Sequence, residues 1–503
     1  MKKMKIIKYY FIIVMLGLFS CENYLDVNDN PSTLKEANEE HLLPYGIASV
    51  AYVVGGRYQV MGALWSQHWT QSIGASQYQG LDSYDINSST YNGEFSELYA
   101  GALMNFEEIR KQSSKNGNWH YYLIATVLQC YTFQVLADLY ENIPFSQAFK
   151  GNEGNLTPIY ENSMDIYDSL IVRLNKALEK DYDNDELEEI GEADFLFNGD
   201  MKRWVEFANT LKLKIFIRQS EARPEVAEAG ILDLYEDEDE IDFLETYVSF
   251  WNYEDVTNKR NPLYATEIMF LGNNPNLIIS NTLLYFMEKN RDYERLDAMF
   301  YTPEAGGAHK GLDQGNYNDP DEPAGTNSAY FSKPVFAPNY PVFLMSLPEI
   351  YFLQTEAMVR FNVGDYEEAK EMYEKGIQAA YNLYGIEGYE EMYSETGPYK
   401  FPSEGEEQEK FIEKIILQKW LAFVNFQGLE AFFEHNRTLY PKEAGSNYDN
   451  SEEGDTVKFT VSANNVTSGR FPRRLIYPES EYSTNPVNTP AQKPVYDKLW
   501  WHK

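Results

Sequence analysis

The sequence is poor in cysteine, histidine and basic residues, and each shortage argues against a class of function. Its two cysteines, Cys21 and Cys130, cannot build a disulfide framework or a four-thiolate zinc site in a chain of 503 residues. The six histidines show no close metal-ligand spacing. Acidic residues number 78 against 42 basic ones, and the formal net charge of −36 repels phosphate backbones. Nucleic acid is therefore not expected as a partner.

Readable enzyme motifs are also missing from the sequence. It contains no Gly-rich phosphate loop followed by Lys-Ser/Thr, no G-x-S-x-G elbow and no H-E-x-x-H helix. A pair of carboxylates for glycosidic cleavage stays open as an alternative, because 78 acidic side chains offer many candidates and no motif. We therefore predict a protein that is not an enzyme and that uses neither a cofactor nor a catalytic metal.

The first residues predict the destination of the chain. A start with four lysines is followed by the apolar run 9–19 and then by Ser20-Cys21. This order is typical of a secretory signal, and the run is too short for a comfortable membrane span. Because a cysteine follows this signal, the sequence predicts a lipoprotein signal peptide over 1–20, lipidation at Cys21 and a lipidated N-terminus with linker over 21–35. The alternative is an ordinary signal peptide with a coincidental cysteine.

Helical spacing of apolar residues dominates the rest of the chain. Stripes with the i, i+3, i+4 pattern predict helices over 95–109, 167–178 and 204–215, the last capped by Asp200. Cys130 lies in the apolar helical stretch 123–139 and is predicted to be a buried small hydrophobe. Strand-like alternation is scarce, so the prediction is an all-α, mainly helical fold. Further helices are predicted over 278–290, 347–362, 366–384 and 408–435.

One predicted helix pair carries the signature of a tetratricopeptide unit. Small and aromatic residues occupy its characteristic positions. Because the neighbouring helical stretches match this signature only poorly, we predict a few tetratricopeptide-like helix pairs forming a globular core. The prediction is a single domain over 36–503 with long irregular ligand-binding insertions at about 65–93 and 301–342. The signature residues are Ala357, Gly364, Tyr366, Ala369 and Tyr373.

Taken together, these stretches resemble the SusD/RagB family, the surface lipoproteins of glycan-uptake systems in Gram-negative outer membranes. The lipidation motif continues into Tyr24-Leu25-Asp26, and six further pieces follow in the order of the family. The resemblance spans nearly the whole chain and implies a helical, tetratricopeptide-like core with an irregular ligand-binding half. Pro144, Trp204, Trp420 and Arg473 lie in these pieces and are predicted to fix packing and not to contact ligand. The pieces are 137–148, 204–213, 347–353, 418–420, 434–441 and 471–478.

The resemblance also implies a function and partners. It implies a SusD-like lipoprotein of the outer membrane, facing the cell exterior, that captures oligosaccharides without cleaving them. The captured glycan would pass to a SusC-like TonB-dependent β-barrel transporter, the expected protein partner. Two alternatives stay open: capture of a peptide or glycopeptide, and a membrane-tethered helical scaffold that binds only proteins.

Aromatic rings among amide and carboxylate side chains are the predicted ligand site, because a sugar offers a C–H face and hydroxyl edges. The first insertion contains such rings between glutamines and aspartates. The second places Tyr317 and Tyr330 beside Asp313, Gln314, Asn316 and Asn327. The alternatives are a core role for the two tryptophans and exposed rings without ligand for the tyrosines. The predicted ligand-binding residues are Trp65, Trp69, Tyr78, Tyr84, Tyr317 and Tyr330.

Overall fold

Helices make up most of the regular structure of this protein, which was obtained as a computed structural model. The structure describes residues 38–182, 184, 187, 189–236, 242–271, 276–323, 325–446, 448–451 and 457–503. The predicted signal peptide, the lipidation site Cys21 and the predicted linker lie outside the described residues. Residues 39–503 form one compact unit.

The N-terminal half is a set of helices that includes one long buried helix. The helices of this half are α1 Glu39–Val54, α2 Arg57–Trp65, α3 Met104–Asn116, α4 Trp119–Tyr140, α5 Ser163–Leu178, α6 Met201–Arg218 and α7 Pro224–Glu236. Short helices at Gln79–Asp82 and Asn92–Ser96 and a π-helical turn at Glu97–Leu103 precede α3. Nearly every residue of α4 is buried, and it packs against α3, α5 and α6. Cys130 lies in this helix and is fully buried, as predicted.

The C-terminal half adds further helices and long connecting segments. Its helices are α8 Asn281–Lys289, α9 Tyr293–Met299, α10 Leu347–Phe361, α11 Tyr366–Asn382, α12 Gln408–Ala422 and α13 Gly428–Thr438. Shorter helical turns lie at Pro262–Tyr264, Ala265–Phe270, Ser328–Tyr330, Glu390–Tyr393 and Glu479–Thr484. The prediction of a mainly helical fold is confirmed.

Side-chain caps fix where several helices begin. The Asp200 carboxylate accepts the backbone N–H of Arg203 at 3.3 Å, which confirms the predicted cap of α6. Asp365 and Glu368 form a reciprocal capping box at the start of α11. These caps satisfy backbone donors that would otherwise be left without partners at the helix ends.

The helix pair α10–α11 is the predicted tetratricopeptide unit. Asn362 ends α10 in the left-handed conformation, with φ 54°, and the chain reverses into α11. Phe352 of α10 meets Tyr373 of α11 edge to face at 5.9 Å between ring centroids. The small residue Gly376 lets the same phenylalanine approach, because a Cβ there would lie 2.6 Å from its ring. The prediction of close packing through small and aromatic residues is confirmed for this pair.

The predicted single helix over 408–435 is wrong, because two helices meet there at a turn. Asn425 takes a left-handed φ of 65° between α12 and α13. The Gln59 side chain of α2 accepts the backbone N–H of Gly428 at 2.7 Å and fixes the start of α13. A Cβ at Gly428 would lie 2.5 Å from the backbone nitrogen of Ala63, so α13 crosses α2 backbone to backbone. Apolar spacing continues through the turn, and spacing alone does not reveal such a break.

Strands are short and pair in twos. Antiparallel pairs join β1 Trp69–Gln71 to β5 Leu277–Ile279, β2 Ile143–Pro144 to β3 Tyr160–Glu161, and β4 Val248–Phe250 to β6 Val342–Met345. The parallel pair β7 Lys442–Ala444 and β8 Lys458–Thr460 lies near the C-terminus. Thr70 pairs with Ile278 in β1–β5, which attaches the residue 70 region to the start of α8.

Charged side chains are buried where α4, α6, α10, α12 and α13 meet. Arg437 donates to both carboxylate oxygens of Glu356 at 2.7 Å each and to Glu434 at 2.6 Å. Lys419 donates to Glu434 at 2.7 Å. Because each charge has partners of opposite sign, the cluster avoids the cost of an isolated buried charge. Its members are Asp138, Lys214, Arg218, Glu349, Glu356, Lys419, Glu430, Glu434 and Arg437.

Candidate functional site

Five of the six predicted ligand-binding rings are buried. The expectation that Tyr78, Tyr84 and Tyr317 are exposed on loops is wrong, because all three residues are buried. The two tryptophans are buried as well. Tyr330 alone of the six is exposed, with 48% of its surface accessible. An open platform of these six rings is therefore absent from the surface, and ligand contact by any of them stays a prediction.

Hydrogen bonds to distant segments explain this burial. The indole N–H of Trp65 donates to the Leu81 carbonyl at 2.9 Å, and that of Trp69 donates to the Asn425 side chain at 3.1 Å. The Tyr84 hydroxyl accepts the backbone N–H of Ser462 at 3.1 Å. The Tyr78 hydroxyl donates to Glu267. The polar tips of these four rings are thus hydrogen-bonded inside the protein.

A polar cleft lies beside these buried rings and is the best candidate site. It encloses about 270 Å³ between the start of α8, the loop 313–316 and the segments on both sides of β8. Most of its lining side chains are amides, hydroxyls or a carboxylate. We name it the amide cleft; it is lined by Asn281, Thr282, Asp313, Gln314, Asn316, Ser446, Tyr448, Asn450, Thr460 and Ala463.

The buried amide of Gln67 joins two walls of the amide cleft. Its Oε1 accepts the Thr282 hydroxyl at 2.7 Å and the backbone N–H of Thr460 at 3.0 Å. Its Nε2 donates to the carbonyl of Thr460 at 2.6 Å. Gln67 adopts a left-handed φ of 57°, which turns the chain between α2 and β1. One side chain from the first insertion thereby positions α8 against β8.

Gln314 lines the cleft and is hydrogen-bonded to the buried Asp82. Gln314 is almost fully buried, and its Nε2 donates to Asp82 at 2.5 Å and to the Trp69 carbonyl at 3.2 Å. Asp82 also accepts the Thr70 hydroxyl at 2.8 Å. Burial raises the pKa of Asp82 to about 6, although these hydrogen bonds lower it. The Oε1 atom of Gln314 has no hydrogen-bond partner within the described part of the chain.

Gly315 lets the loop 313–316 approach the segment after β8. It adopts a φ of 70°, and a Cβ there would lie 1.9 Å from the Ser462 hydroxyl. The Asn464 side chain donates to the Gly315 carbonyl at 2.7 Å, and Ala463 N–H donates to the carbonyl of Gln314 at 2.8 Å. Only glycine combines this backbone conformation with so close a contact.

The rim of the amide cleft combines an aromatic ring with hydrogen-bonding groups. Tyr448 is 37% exposed, and the Lys458 ammonium lies 4.5 Å from its ring centroid. Asn281 donates to the exposed carboxylate of Asp313 at 2.6 Å. Burial raises the pKa of the nearby Tyr285 phenol, and the carboxylates of Asp313 and Asp449 raise it further. This edge of the cleft is rich in acceptors for hydroxyl groups.

The side chains of the amide cleft are of the kinds that bind sugars. Amides and carboxylates pair with sugar hydroxyls in both directions, and an aromatic face covers sugar C–H groups. The sequence places Asp313, Gln314 and Asn316 beside Tyr317, and the structure brings these three polar side chains into the cleft. Sequence reasoning missed Asn281, Tyr448 and Asn450, because each lies far along the chain from the loop 313–316. A group of three or more His, Cys, Asp or Glu side chains placed to hold a metal ion is absent from the described residues.

Comparison with solved structures shows the same fold in several proteins. A SusD homolog from Bacteroides uniformis is 21% identical, with a TM-score of 0.72, over 92% of this chain and 100% of that one. A SusD homolog from Flavobacterium johnsoniae, described as chitin-binding, is 20% identical with a TM-score of 0.72, over 91% and 98%. A SusD-like protein from Bacteroides thetaiotaomicron is 22% identical, with a TM-score of 0.68, over 92% and 98%.

Sequence comparison assigns the family. No curated protein matches the chain. The family model described as SusD-like, starch-binding and associating with the outer membrane matches residues 31–478, which is most of the chain. The resemblance noted in the sequence is confirmed by this match. The chain therefore belongs to the SusD-like family of carbohydrate-binding proteins associated with the outer membrane.

Proposed function

We propose that this protein is a cell-surface lipoprotein that captures oligosaccharides and delivers them to a TonB-dependent outer-membrane transporter. The observation that carries the proposal is the amide cleft, which places Tyr448 beside the hydrogen-bonding side chains of Asn281, Asp313 and Asn316. Such a cleft binds a glycan and leaves it intact, because recognition by hydroxyl pairing and ring contact needs no proton transfer.

The experiment that tests capture is a binding panel of polysaccharides. Starch belongs in it because the family description names starch, and a soluble chitin derivative belongs in it because a similar structure is described as chitin-binding. Retardation in gels cast with each polysaccharide identifies a ligand, and titration calorimetry with its oligosaccharide gives the affinity. We expect at least one glycan to retard the protein.

Replacement of Tyr448 by alanine tests the location of capture. Loss of an aromatic contact at a binding hot spot costs about 2 kcal/mol, so we expect at least about tenfold weaker binding. Tyr293→Ala is the matched control, since it also removes an exposed ring. If no glycan binds, capture of glycans is wrong; if Tyr448→Ala binds as tightly as the parent, the amide cleft is not the site.

Membrane attachment and delivery are proposed from the N-terminal pattern and the family. Acylation of Cys21 with several chains would hold the protein firmly, because one chain alone binds a bilayer only marginally. We expect Cys21→Ala to release the protein from the membrane fraction and to abolish incorporation of labelled palmitate.

We also expect a barrel transporter to co-purify with the parent in mild detergent; its repeated absence would contradict the delivery step.

A further inference from the structure

A second and larger cleft lies beside β7 and the C-terminal segment. It encloses about 470 Å³, and its charged lining is mostly basic although the whole chain carries a net charge of −36. Among its lining residues three are basic and one, Glu443, is acidic. We name it the arginine cleft; it is lined by Glu443, Ala444, Gly445, Val461, Gly469, Arg470, Phe471, Arg473, Tyr496 and Lys498.

Arg470 is held in place by two contacts that leave the end of its side chain available. Its guanidinium carbon lies 3.3 Å from the centroid of the Tyr496 ring, and its Nε donates to the Thr467 carbonyl at 2.9 Å. Neither contact uses the two terminal Nη groups. Across the described residues, Arg470 forms no ion pair with any carboxylate, even though acidic side chains outnumber basic ones almost twofold. A planar guanidinium fixed in this way presents a preformed fork for a carboxylate.

The other charged groups of the arginine cleft differ in the hydrogen-bond partners that they already have. Arg473 donates to Asn436 at 2.7 Å and to Glu443, and His435 lies 3.1 Å from the same Glu443 oxygen. Burial raises the pKa of Glu443, but these donors outweigh it and hold that pKa below its usual range. Glu443 is therefore an ionised partner of Arg473 and does not neutralise Arg470. Lys498 adds an exposed ammonium that donates to the backbone oxygen of Lys503.

The two clefts share their walls. Ala444 and Gly445 line the arginine cleft, and Ser446, the next residue, lines the amide cleft. In the same way Val461 faces the arginine cleft and its neighbour Thr460 faces the amide cleft. The paired segments around β7 and β8 thus separate a cleft suited to neutral sugar groups from a cleft suited to an anion. A chain of sugar units that occupied both would place one unit against each kind of lining.

We propose that the arginine cleft binds the carboxylate of an acidic sugar, with Arg470 as the principal contact. The inference rests on the proposed function, since it assigns a substrate class, a uronic-acid-containing oligosaccharide, to a glycan-capturing protein. A carboxylate accepts two parallel N–H groups from a guanidinium, and the stacked Tyr496 ring keeps that fork oriented.

Matched ligands test the role of the carboxylate. Short oligomers of galacturonate, guluronate and glucuronate are titrated into the purified protein beside their carboxyl-reduced counterparts, which have the same ring and no charge. We expect at least one uronate oligomer to bind about tenfold or more tightly than its reduced form, as expected for a charge-assisted hydrogen bond. The preference should weaken as salt is added, because salt screens exposed charges.

Matched variants test the role of Arg470. Arg470→Gln should abolish the preference for the uronate oligomer, and Arg470→Lys should retain only part of it, because an ammonium keeps the charge but lacks the fork. Arg203→Gln, which removes one exposed positive charge from α6, should leave the preference unchanged. Thermal melting of each variant checks that the fold is intact.

The outcomes separate this inference from the proposed function. If neutral glycans bind but no uronate oligomer is preferred over its reduced form, the acidic-sugar inference is overturned and glycan capture stands. The inference is likewise overturned if the preference for the uronate oligomer survives Arg470→Gln. If no glycan of either kind binds, the proposed function fails together with the inference.

Discussion

At the scale of single residues, the buried pair of Tyr78 and Glu267 makes stability depend on pH. Burial raises the pKa of Glu267 to about 7, and the hydrogen bond from Tyr78 offsets only part of this rise. The native state therefore binds a proton that the unfolded chain has lost, and the resulting stability is present below about pH 4.3. It is lost as the pH rises through 7, with a total of about 3 kcal/mol from a shift of this size.

Glu267→Gln tests this linkage because glutamine resembles the protonated acid and cannot ionise. We expect the free energy of unfolding of the variant to exceed that of the parent by about 1 kcal/mol at pH 5 and by about 3 kcal/mol at pH 8. Urea unfolding at both pH values measures the difference. An equal free-energy difference between variant and parent at pH 5 and pH 8 would contradict the raised pKa.

The buried and exposed tyrosines should respond differently to truncation. Tyr84→Ala removes a core ring that accepts the Ser462 N–H, and we expect it to lower the free energy of unfolding by about 3–5 kcal/mol. Tyr330→Ala removes an exposed ring and should change it by at most about 0.5 kcal/mol. Thermal melting and urea unfolding of the two variants check both values. Similar losses for both would contradict the burial of the Tyr84 ring.

Sequence reasoning could identify ring-rich segments but not which rings are buried. Tyr78 and Tyr84 lie among Gly, Asn and Asp residues, which is typical of exposed loops. Their burial depends on Glu267 and Ser462, which are 189 and 378 positions away. Contacts at such separations leave no local pattern, and for that reason the predicted exposure of these two rings is wrong.

At the scale of elements, the spacing of apolar residues and the presence of capping residues identify most of the long helices that carry a polar face. The α5 stripe and the Asp200 cap of α6 are visible in sequence because one face is apolar and the other is polar. The turn between α12 and α13 was missed because it lies within a continuous apolar stretch. Two tryptophans in the family motifs hold neighbouring segments together. The Trp420 indole donates to the Ser66 carbonyl at 2.8 Å, and the Trp204 indole donates to Asp194 at 2.7 Å.

The crossing of α2 and α13 depends on glycine. A Cβ at Gly62 would lie 2.3 Å from the backbone carbon of Gly428, and backbone atoms cannot move aside as a flexible side chain can. We expect Gly62→Ala to separate the helices and to lower the free energy of unfolding by about 1–3 kcal/mol. Gly93→Ala is the matched control, since no atom lies within 4 Å of its added Cβ. Urea unfolding that shows equal stability for both variants would contradict the close crossing.

At the scale of the whole molecule, the buried ion cluster ties helices from both halves of the chain. Arg437 of α13 is shared by Glu356 of α10 and Glu434 of α13, and Arg218 of α6 contacts Glu434 as well. Arg437→Met would leave carboxylates short of partners in a dry interior, which costs about 3–5 kcal/mol. The exposed Arg203→Met should cost at most about 0.5 kcal/mol. Urea unfolding that shows a loss below about 1 kcal/mol for Arg437→Met would contradict this role.

The candidate site is assembled from segments that the sequence keeps apart. The start of α8 and strand β8 meet through Gln67, which belongs to neither. The loop 313–316 joins them through the hydrogen bonds of Asp313 to Asn281 and of Gln314 to Ala463. The composition of the second insertion pointed to Asp313, Gln314 and Asn316, since amides and carboxylates beside aromatic rings are typical of sugar sites. Tyr448 and Asn281 could be identified only from the structure, because folding brings them next to this loop from distant parts of the sequence.

A crystal structure of the protein with the oligosaccharide that the binding panel identifies would show directly whether the amide cleft is the carbohydrate site. We expect a sugar ring against Tyr448 in the amide cleft, with hydroxyl groups hydrogen-bonded to Asp313 and Asn316. An oligosaccharide bound at another surface, with the amide cleft empty of sugar, would contradict the proposed site.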